Sequence, residues 1–160
     1  MKKELGIALA QINPTVGNIS GNLNLIRNAR NEASGACDIV ITGELAVSGY
    51  PPEDLVLKPA FLEMIEQQVE KLALETNDGG PALLIGTPWR ENGKLFNAAL
   101  LLTDAAIKNK RLTHVLPTYG VFDEERVFSP GPIPGPVSYT HLRAHETLRY
   151  LVCRRVLEKK

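Results

Sequence analysis

One carboxylate, Glu44, stands directly after a short apolar segment that is typical of a buried β-strand. Residues 39–42 are mostly β-branched, while Ser48, Gly49 and two prolines after Glu44 predict a loop. Ligands of open α/β sheets bind at the carboxyl ends of the strands, so an acid here is placed for general acid–base chemistry. The alternative interpretation is an exposed acid in a surface turn, and the spacing alone does not exclude it.

The segment around Glu44 resembles a known motif. Residues 43–55, Gly-Glu-Leu-Ala-Val-Ser-Gly-Tyr-Pro-Pro-Glu-Asp-Leu, resemble the glutamic-acid motif of the nitrilase, or carbon–nitrogen hydrolase, superfamily. The last eight of these residues are similar to the glutaminase domain of glutamine-dependent NAD synthetases. Members of the family usually have proline where this chain has Gly43, and glycine also permits a tight exit from a strand. The resemblance implies that Glu44 is the catalytic general base and acid.

A second segment, residues 116–131, resembles the family's second signature even more closely. Tyr119 matches a tyrosine that lines the glutamine pocket, and Glu124 matches a second acid that positions the catalytic residues. Without the resemblance, Tyr119 is interpreted as an aromatic residue that packs at a turn. Glu124 is then part of the solvated charge run of residues 123–126.

Two parts of the implied catalytic site are missing. The family has a catalytic lysine three residues before the Leu-Pro of the second signature, and this chain has Thr113 there, with Lys110 and Arg111 out of register. Elsewhere the loss of an oxyanion donor lowers rates by about 10²–10³-fold. The family's nucleophilic cysteine is also absent, because neither Cys37 nor Cys153 fits its motif. We therefore expect this chain by itself to be inactive.

The composition indicates a soluble globular domain. The chain has 160 residues, a net charge of zero, 44% hydrophobic and 22% charged residues. The balanced charge gives no argument for nucleic acid or an anionic membrane, so neither partner is expected. The apolar run of residues 5–10 is too short for a signal peptide or a membrane span. Two cysteines make no disulfide framework, and a cytoplasmic location is expected.

The hydrophobic pattern predicts an α/β fold. Apolar runs predict a doubly buried strand at 5–11 and strands at 39–42, 81–87 and 106–112. Helical periodicity predicts a helix from about Ser20 that Gly35 stops and a second helix at 59–75. Asn92-Gly93 predicts a hairpin between a short strand ending near Trp89 and a strand at 95–103. We expect a mixed sheet with helices packed outside. The resemblance implies the nitrilase-type α-β-β-α sandwich, of which this chain would hold an incomplete, N-terminal portion.

The character of the sequence changes near residue 137. We predict a truncated carbon–nitrogen hydrolase domain over residues 5–136 and a non-native tail over 137–160, because the tail resembles translated sequencing adapter. Residues 138–160 hold six Lys or Arg against two acids. His141 and His145 at i, i+4 could form a metal pair and residues 148–157 an amphipathic helix, but both signals are weak. No metal site is predicted.

The resemblance implies an intact protein that hydrolyses L-glutamine and passes ammonia to a downstream synthetase domain. That domain would use ATP with Mg²⁺ to convert deamido-NAD to NAD. This chain lacks the domain's Ser-Gly-Gly-x-Asp-Ser phosphate loop, so no cofactor is expected here. The full-length protein is expected to be a homo-oligomer. The alternatives are a stand-alone amidase and a non-catalytic nitrilase-like domain, the latter suggested by Thr113.

Overall fold

The central element is a five-stranded mixed sheet. The structure, a computed structural model, describes residues 4–119, 123–133, 137–139 and 142–144. The strands lie side by side in chain order: β1 (Ile7–Ala10), β2 (Ile39–Thr42), β3 (Ala82–Glu91), β4 (Lys94–Thr103) and β5 (Ala106–Leu112). β1, β2 and β3 run parallel, whereas β4 and β5 continue the sheet antiparallel. The mixed sheet expected from the sequence is confirmed.

Two helices make the crossovers between the parallel strands. α1 (Ile19–Glu32) joins β1 to β2, and α2 (Pro59–Glu75) joins β2 to β3. α1 begins where the side chain of Asn18 accepts a hydrogen bond from the Gly21 amide at 3.0 Å. α2 begins at a proline, whose missing N–H needs no partner in the first turn. Both helices are confirmed, α2 with the predicted bounds.

Both helices pack on the same face of the sheet. The strand register places Val40 beside Leu83 and Leu83 beside Leu102, so these side chains point to one side. They form one buried apolar cluster with the inward stripes of the helices, including Leu23, Ile26, Ile65, Val69 and Leu72. This cluster is the core that fixes the sheet beneath the two helices.

The opposite face of the sheet is less covered than the sequence predicts. β1 was expected to be a strand buried on both faces. That expectation is wrong, because β1 lies at the edge of the sheet and one of its faces is exposed. Ile7 is 50% exposed and Leu9 is 69% exposed. An apolar run shows that a strand can be covered, but it does not say what covers it. No helix of the described part is long and apolar enough to cross a membrane.

A separate two-stranded sheet follows the main one. β6 (Val137–Tyr139) pairs antiparallel with β7 (Leu142–Ala144). Both strands lie in the segment predicted to be a non-native tail, and its boundary at residue 136 stays a prediction. The histidine pair, residues 148–157 and Cys153 lie outside the described residues.

A buried guanidinium ties α1 to the segment before β3. Arg30, 6% exposed, donates from Nε to the carbonyl oxygen of Pro81 at 2.7 Å. Its other two nitrogens donate to the Asp78 carboxylate at 2.8 and 2.6 Å. These bonds, with a further one from the Gly80 amide, hold the pKa of Asp78 well below its usual range. The pair therefore stabilises the ionised form of Asp78.

We expect Asp78→Asn to lower the free energy of unfolding at about pH 7 by about 1 kcal/mol, because Arg30 loses a charged acceptor while solvent screens the half-exposed Asp78 carboxylate. A depressed folded pKa gives stability that is present above the ordinary value of 3.8 and is lost in acid. Urea unfolding should therefore show the two proteins converging as the pH falls below that value. Asp104→Asn is the control, since its exposed carboxylate lies 3.6 Å from Lys108 and should matter little. Equal effects of the two substitutions would contradict this assignment.

Candidate active site

Glu44 lies just beyond the carboxyl end of β2, on a turn that packs directly over β3. The amide of Val47 donates to the carbonyl oxygen of Gly86 at 3.2 Å. A Cβ added to Gly86 would lie 2.5 Å from the Gly43 oxygen and 2.9 Å from the Glu44 Cα. Glycine at residue 86 is therefore needed for the Glu44 turn to approach the sheet this closely.

The residue after Glu44 has a strained backbone. Leu45 has a φ of 48°, in the left-handed region that costs a non-glycine residue about 1–3 kcal/mol. Its side chain is fully buried in a second apolar cluster, and burying a leucine contributes about 1.5–3 kcal/mol. The other buried members of this cluster are Val56, Leu62, Leu116 and Phe128. Packing therefore offsets the strain and joins the Glu44 turn to the second signature.

Thr113, just before the second signature, and Gly131, its last residue, meet beside β4. The amide of Thr113 donates to the Asn97 carbonyl at 2.8 Å, and the amide of Gly131 donates to the Thr113 carbonyl at 2.8 Å. Between them, Glu124 begins a short 3₁₀ helix (Glu124–Arg126), and its amide donates to the Pro117 carbonyl at 3.1 Å. These contacts place Glu124 at the end of the sheet where Glu44 lies.

The two glutamates meet at the side chain of Asn97. Asn97 lies on β4 and is 2% exposed. Its Nδ2 donates to Glu44 Oε1 at 2.6 Å and to Glu124 Oε2 at 3.2 Å. The Tyr50 hydroxyl donates to Glu124 Oε1 at 3.3 Å. The structure thus brings together the predicted residues Glu44 and Glu124.

Burial and like charge shape the titration of this cluster. Burial raises the pKa of Glu124, and the negative charge of Glu44 raises it further, while the hydrogen bonds from Asn97 and Tyr50 lower it. Burial also raises the pKa of Tyr50 to about 12, with further contributions from Glu124 and Glu44. Tyr50 therefore stays protonated at neutral pH and remains a donor to Glu124.

A cleft of about 500 Å³ opens beside the carboxylates. Glu44 and Asn97 line it, as do three polar residues from the end of β5 and beyond it: Arg111, Thr113 and His114. Lys110 lies elsewhere, because its Nζ pairs with Glu91 Oε1 at 2.6 Å. Thr113, where the resemblance implies a lysine, lines the same cleft as Glu44. Arg111 adds a cationic side chain to that cleft.

Tyr119 lies at the edge of this cluster. It is 59% exposed, and it contributes to the raised pKa of Tyr50, which places it within electrostatic reach of that hydroxyl. Its substrate-binding role stays a prediction, as does that of Glu124.

Sequence reasoning missed Asn97 and the site role of Tyr50. The signal for Asn97 was present, since asparagine is depleted in strands and stands here inside the otherwise apolar run of residues 95–102. Tyr50 belongs to the first motif, but nothing in the sequence showed that its hydroxyl reaches Glu124.

No sulfur nucleophile is placed at this cleft by the described residues. Cys37 precedes β2, whereas Glu44 follows it, so the whole length of the strand, about 3.3 Å for each of its residues, lies between them. Within the described ranges, no group of three or more His, Cys, Asp or Glu could hold a metal ion. The described residues of this cluster can position and exchange protons, and they include no thiol.

Comparisons with a family model and with curated proteins agree on one family. Residues 6–154 match the carbon-nitrogen hydrolase family. A glutamine-dependent NAD(+) synthetase from Synechocystis sp. is 42% identical over 131 residues, covering 77% of this chain and 23% of that protein. One from Rhodobacter capsulatus is 40% identical over 139 residues, covering 86% and 25%. The chain spans about a quarter of the length of these curated relatives.

Solved structures share the fold. Glutamine-dependent NAD+ synthetase from Acinetobacter baumannii, in complex with ADP, has a TM-score of 0.78 and 33% identity over 87% of this chain and 26% of that one. An amidase from Nesterenkonia sp. has a TM-score of 0.70 and 25% identity over 87% and 53%. A variant of the Nesterenkonia AN1 amidase is described as a member of the nitrilase superfamily. The predicted nitrilase-type α/β fold is confirmed, and the described residues supply one sheet with its helical layer.

We expect the stability of Glu124→Gln relative to the wild type to increase as the pH rises, because the substitution removes a charge that is costly to bury. A raised folded pKa gives stability that is present below the ordinary value of 4.5 and is lost as the pH rises through the folded pKa. Thermal unfolding should therefore show a gap between variant and wild type that opens with rising pH. Glu125→Gln, at an exposed neighbouring position, should follow the wild type throughout. Parallel curves for Glu124→Gln would show that Glu124 is not buried as described.

Proposed function

Because this chain belongs to the carbon–nitrogen hydrolase family, we propose that it forms the Glu44-bearing part of a glutaminase domain that hydrolyses L-glutamine. The observation that carries the proposal is the meeting of Glu44 and Glu124 at Asn97 beside an open cleft. Glutamine is supported as the substrate by the relatives, which are glutamine-dependent NAD(+) synthetases. These relatives favour this function over that of a stand-alone amidase.

Glu44 is the group that moves protons. Its Oε1 is held by Asn97 at 2.6 Å, and among the described residues its Oε2 has no hydrogen-bond donor. Oε2 can therefore take the proton of a thiol as the sulfur attacks the amide carbon of glutamine. Glu44 then returns that proton to the departing nitrogen, the C–N bond breaks and ammonia leaves, and the glutamyl group stays bonded to the sulfur as a thioester. In the second step Glu44 deprotonates the water that hydrolyses the thioester to glutamate and free thiol.

The use of the ammonia, and the other parts of the proposed reaction, involve groups outside this cluster. We propose that the ammonia passes to a synthetase domain, where ATP with Mg²⁺ activates deamido-NAD, and that the glutaminase part uses no cofactor. We further propose that the intact protein is a cytoplasmic homo-oligomer whose partners include neither nucleic acid nor a membrane. The balanced charge of the chain supports the last point.

Thr113 favours a second candidate, a non-catalytic nitrilase-like domain. The attack on the amide places negative charge on its carbonyl oxygen, and a fixed cation beside it stabilises that charge. Thr113 lines the cleft at the position where the resemblance implies such a cation, but its hydroxyl is short and uncharged. Arg111 lines the same cleft, so the cleft does not lack a cationic residue altogether.

A chimera tests the glutaminase proposal directly. The matching 131 residues of the Synechocystis relative are replaced by those of this chain, so that the relative supplies the remaining parts, and ammonia release from L-glutamine is measured. In the Thr113→Lys chimera, we expect Glu44→Gln to lower kcat by about 10²–10⁴-fold, because the general base is lost. Glu53→Gln, at an exposed motif carboxylate, should leave kcat unchanged.

The same chimera separates the two candidate functions. If the domain is a glutaminase, the chimera that keeps Thr113 should release ammonia above the level of its Glu44→Gln variant, and Thr113→Lys should raise that release by about 10²–10³-fold. Release no higher than that of the Glu44→Gln variant would favour the non-catalytic candidate. Robust activity with Thr113 in place would remove the reason for proposing a non-catalytic domain. Either of two results would overturn the glutaminase proposal. One is ammonia release that survives Glu44→Gln. The other is a Thr113→Lys chimera that releases no ammonia while the unaltered Synechocystis relative does.

A further inference from the structure

We propose that Asn97 is a positioning residue that orients Glu44 for proton transfer by holding it and Glu124 with one amide group. The inference rests on the proposed function, since it assigns how the proton-transferring carboxylate of that function is aimed. Asn97 belongs to neither signature motif, and the strand that carries it separates the two in the chain.

The chemistry of the two neighbours fixes the orientation of the Asn97 amide. An ionised carboxylate only accepts hydrogen bonds, and an asparagine amide offers two donor protons on one nitrogen. The Nδ2 atom lies 2.6 Å from Glu44 Oε1 and 3.2 Å from Glu124 Oε2, so each proton has its own acceptor. The amide nitrogen, rather than its oxygen, must therefore face the pair.

The backbone around Asn97 makes it a rigid support. Asn97 lies inside β4, opposite Pro88 of β3, and its carbonyl oxygen accepts from the Thr113 amide at 2.8 Å. The side chain is nearly inaccessible to solvent, at 2% exposure for the residue. Functional groups are held most accurately by residues on strands whose own side chains are locked by packing. Asn97 meets that condition, whereas Glu44 and Glu124 lie on loops.

The shared amide gives the two carboxylates different roles. Both oxygens of Glu124 are engaged, Oε2 by Asn97 and Oε1 by the Tyr50 hydroxyl. Glu44 is held through Oε1, and Oε2 has no donor among the described residues. Glu124 is therefore an anchor that keeps Asn97 in place, and Glu44 has an oxygen available for the proton. The two amide protons also reduce the repulsion between two acids at one site.

Nuclear magnetic resonance of the complete 160-residue chain tests this arrangement without any catalytic assay. The two Nδ2 protons of Asn97 are followed from about pH 3 to about pH 9, a range that spans carboxylate titration. We expect both protons to shift with pH, because each is bonded to a group that changes charge. Glu44→Gln should abolish the larger part of one proton's shift, and Glu124→Gln that of the other.

The chain provides an internal control. Asn22 is 1% exposed and donates from Nδ2 to the carbonyl oxygens of Thr15 and Val47, so its amide protons should not follow carboxylate titration. The other titratable or charged groups around the cluster are Tyr50, Tyr119, Arg111 and His114. His114→Gln shows whether any part of the Asn97 shift comes from the imidazole.

The outcomes test the shared hydrogen bonding on which the positioning role depends. If one or neither Asn97 proton titrates in the wild-type chain, the inference is overturned, while glutamine hydrolysis by Glu44 stays open. If both protons titrate but the Thr113→Lys chimera is inactive while the unaltered Synechocystis relative is active, the proposed function is wrong. The hydrogen bonds from Asn97 to both glutamates are then still supported. A wild-type titration in which either proton does not shift overturns the inference by itself, even where a glutamate variant does not fold.

Discussion

Two carboxylates at one end of the sheet share the amide of Asn97, and the rest of the site depends on that arrangement. Like charges repel, so they lie close together only where donors are supplied to both. Asn97 supplies these donors from inside a strand, and Tyr50 supplies a further one to Glu124. The network therefore unites a strand, a turn and a loop that are far apart in the chain.

The surrounding backbone is shaped to bring the glutamates to Asn97. Gly86 leaves room for the Glu44 turn on the surface of β3, where any side chain would collide with it. Leu45 accepts an unfavourable φ because its side chain is buried between the first and second signatures. Gly131 and Thr113 meet beside β4, and Glu124 between them lies at the end of the sheet where Glu44 lies. Packing thus maintains a geometry that the local backbone preferences oppose.

Local signals in the sequence were sufficient for the elements whose causes are local. Pro59 correctly marked the start of α2. Asn92-Gly93 correctly marked the β3–β4 hairpin, because Asn92 and Gly93 both adopt a positive φ there. The exposure of β1 and the role of Asn97 were not accessible in this way. Each depends on which residues, distant in the chain, come to lie beside it.

The resemblance located the two glutamates, and the structure shows that they meet at Asn97. Motif matching finds residues that share a pattern, but Asn97 stands in the strand between the patterns and carries no motif of its own. Electrostatics distinguishes the two acids in turn. Glu124 is buried with a raised pKa, whereas Glu44 borders the open cleft. Position in the fold, rather than residue type, separates a buried carboxylate from one that faces a cleft.

A double-mutant cycle between Glu44 and Glu124 measures the shared interaction most directly. The free energies of unfolding of the wild type, Glu44→Gln, Glu124→Gln and the double variant are determined by urea denaturation at about pH 7. Residues in one hydrogen-bonded network show coupling energies of about 0.5–3 kcal/mol, and the shared amide predicts a value of at least about 0.5 kcal/mol. Effects that add to within about 0.3 kcal/mol would show that the two carboxylates are independent, and would contradict this account of the site.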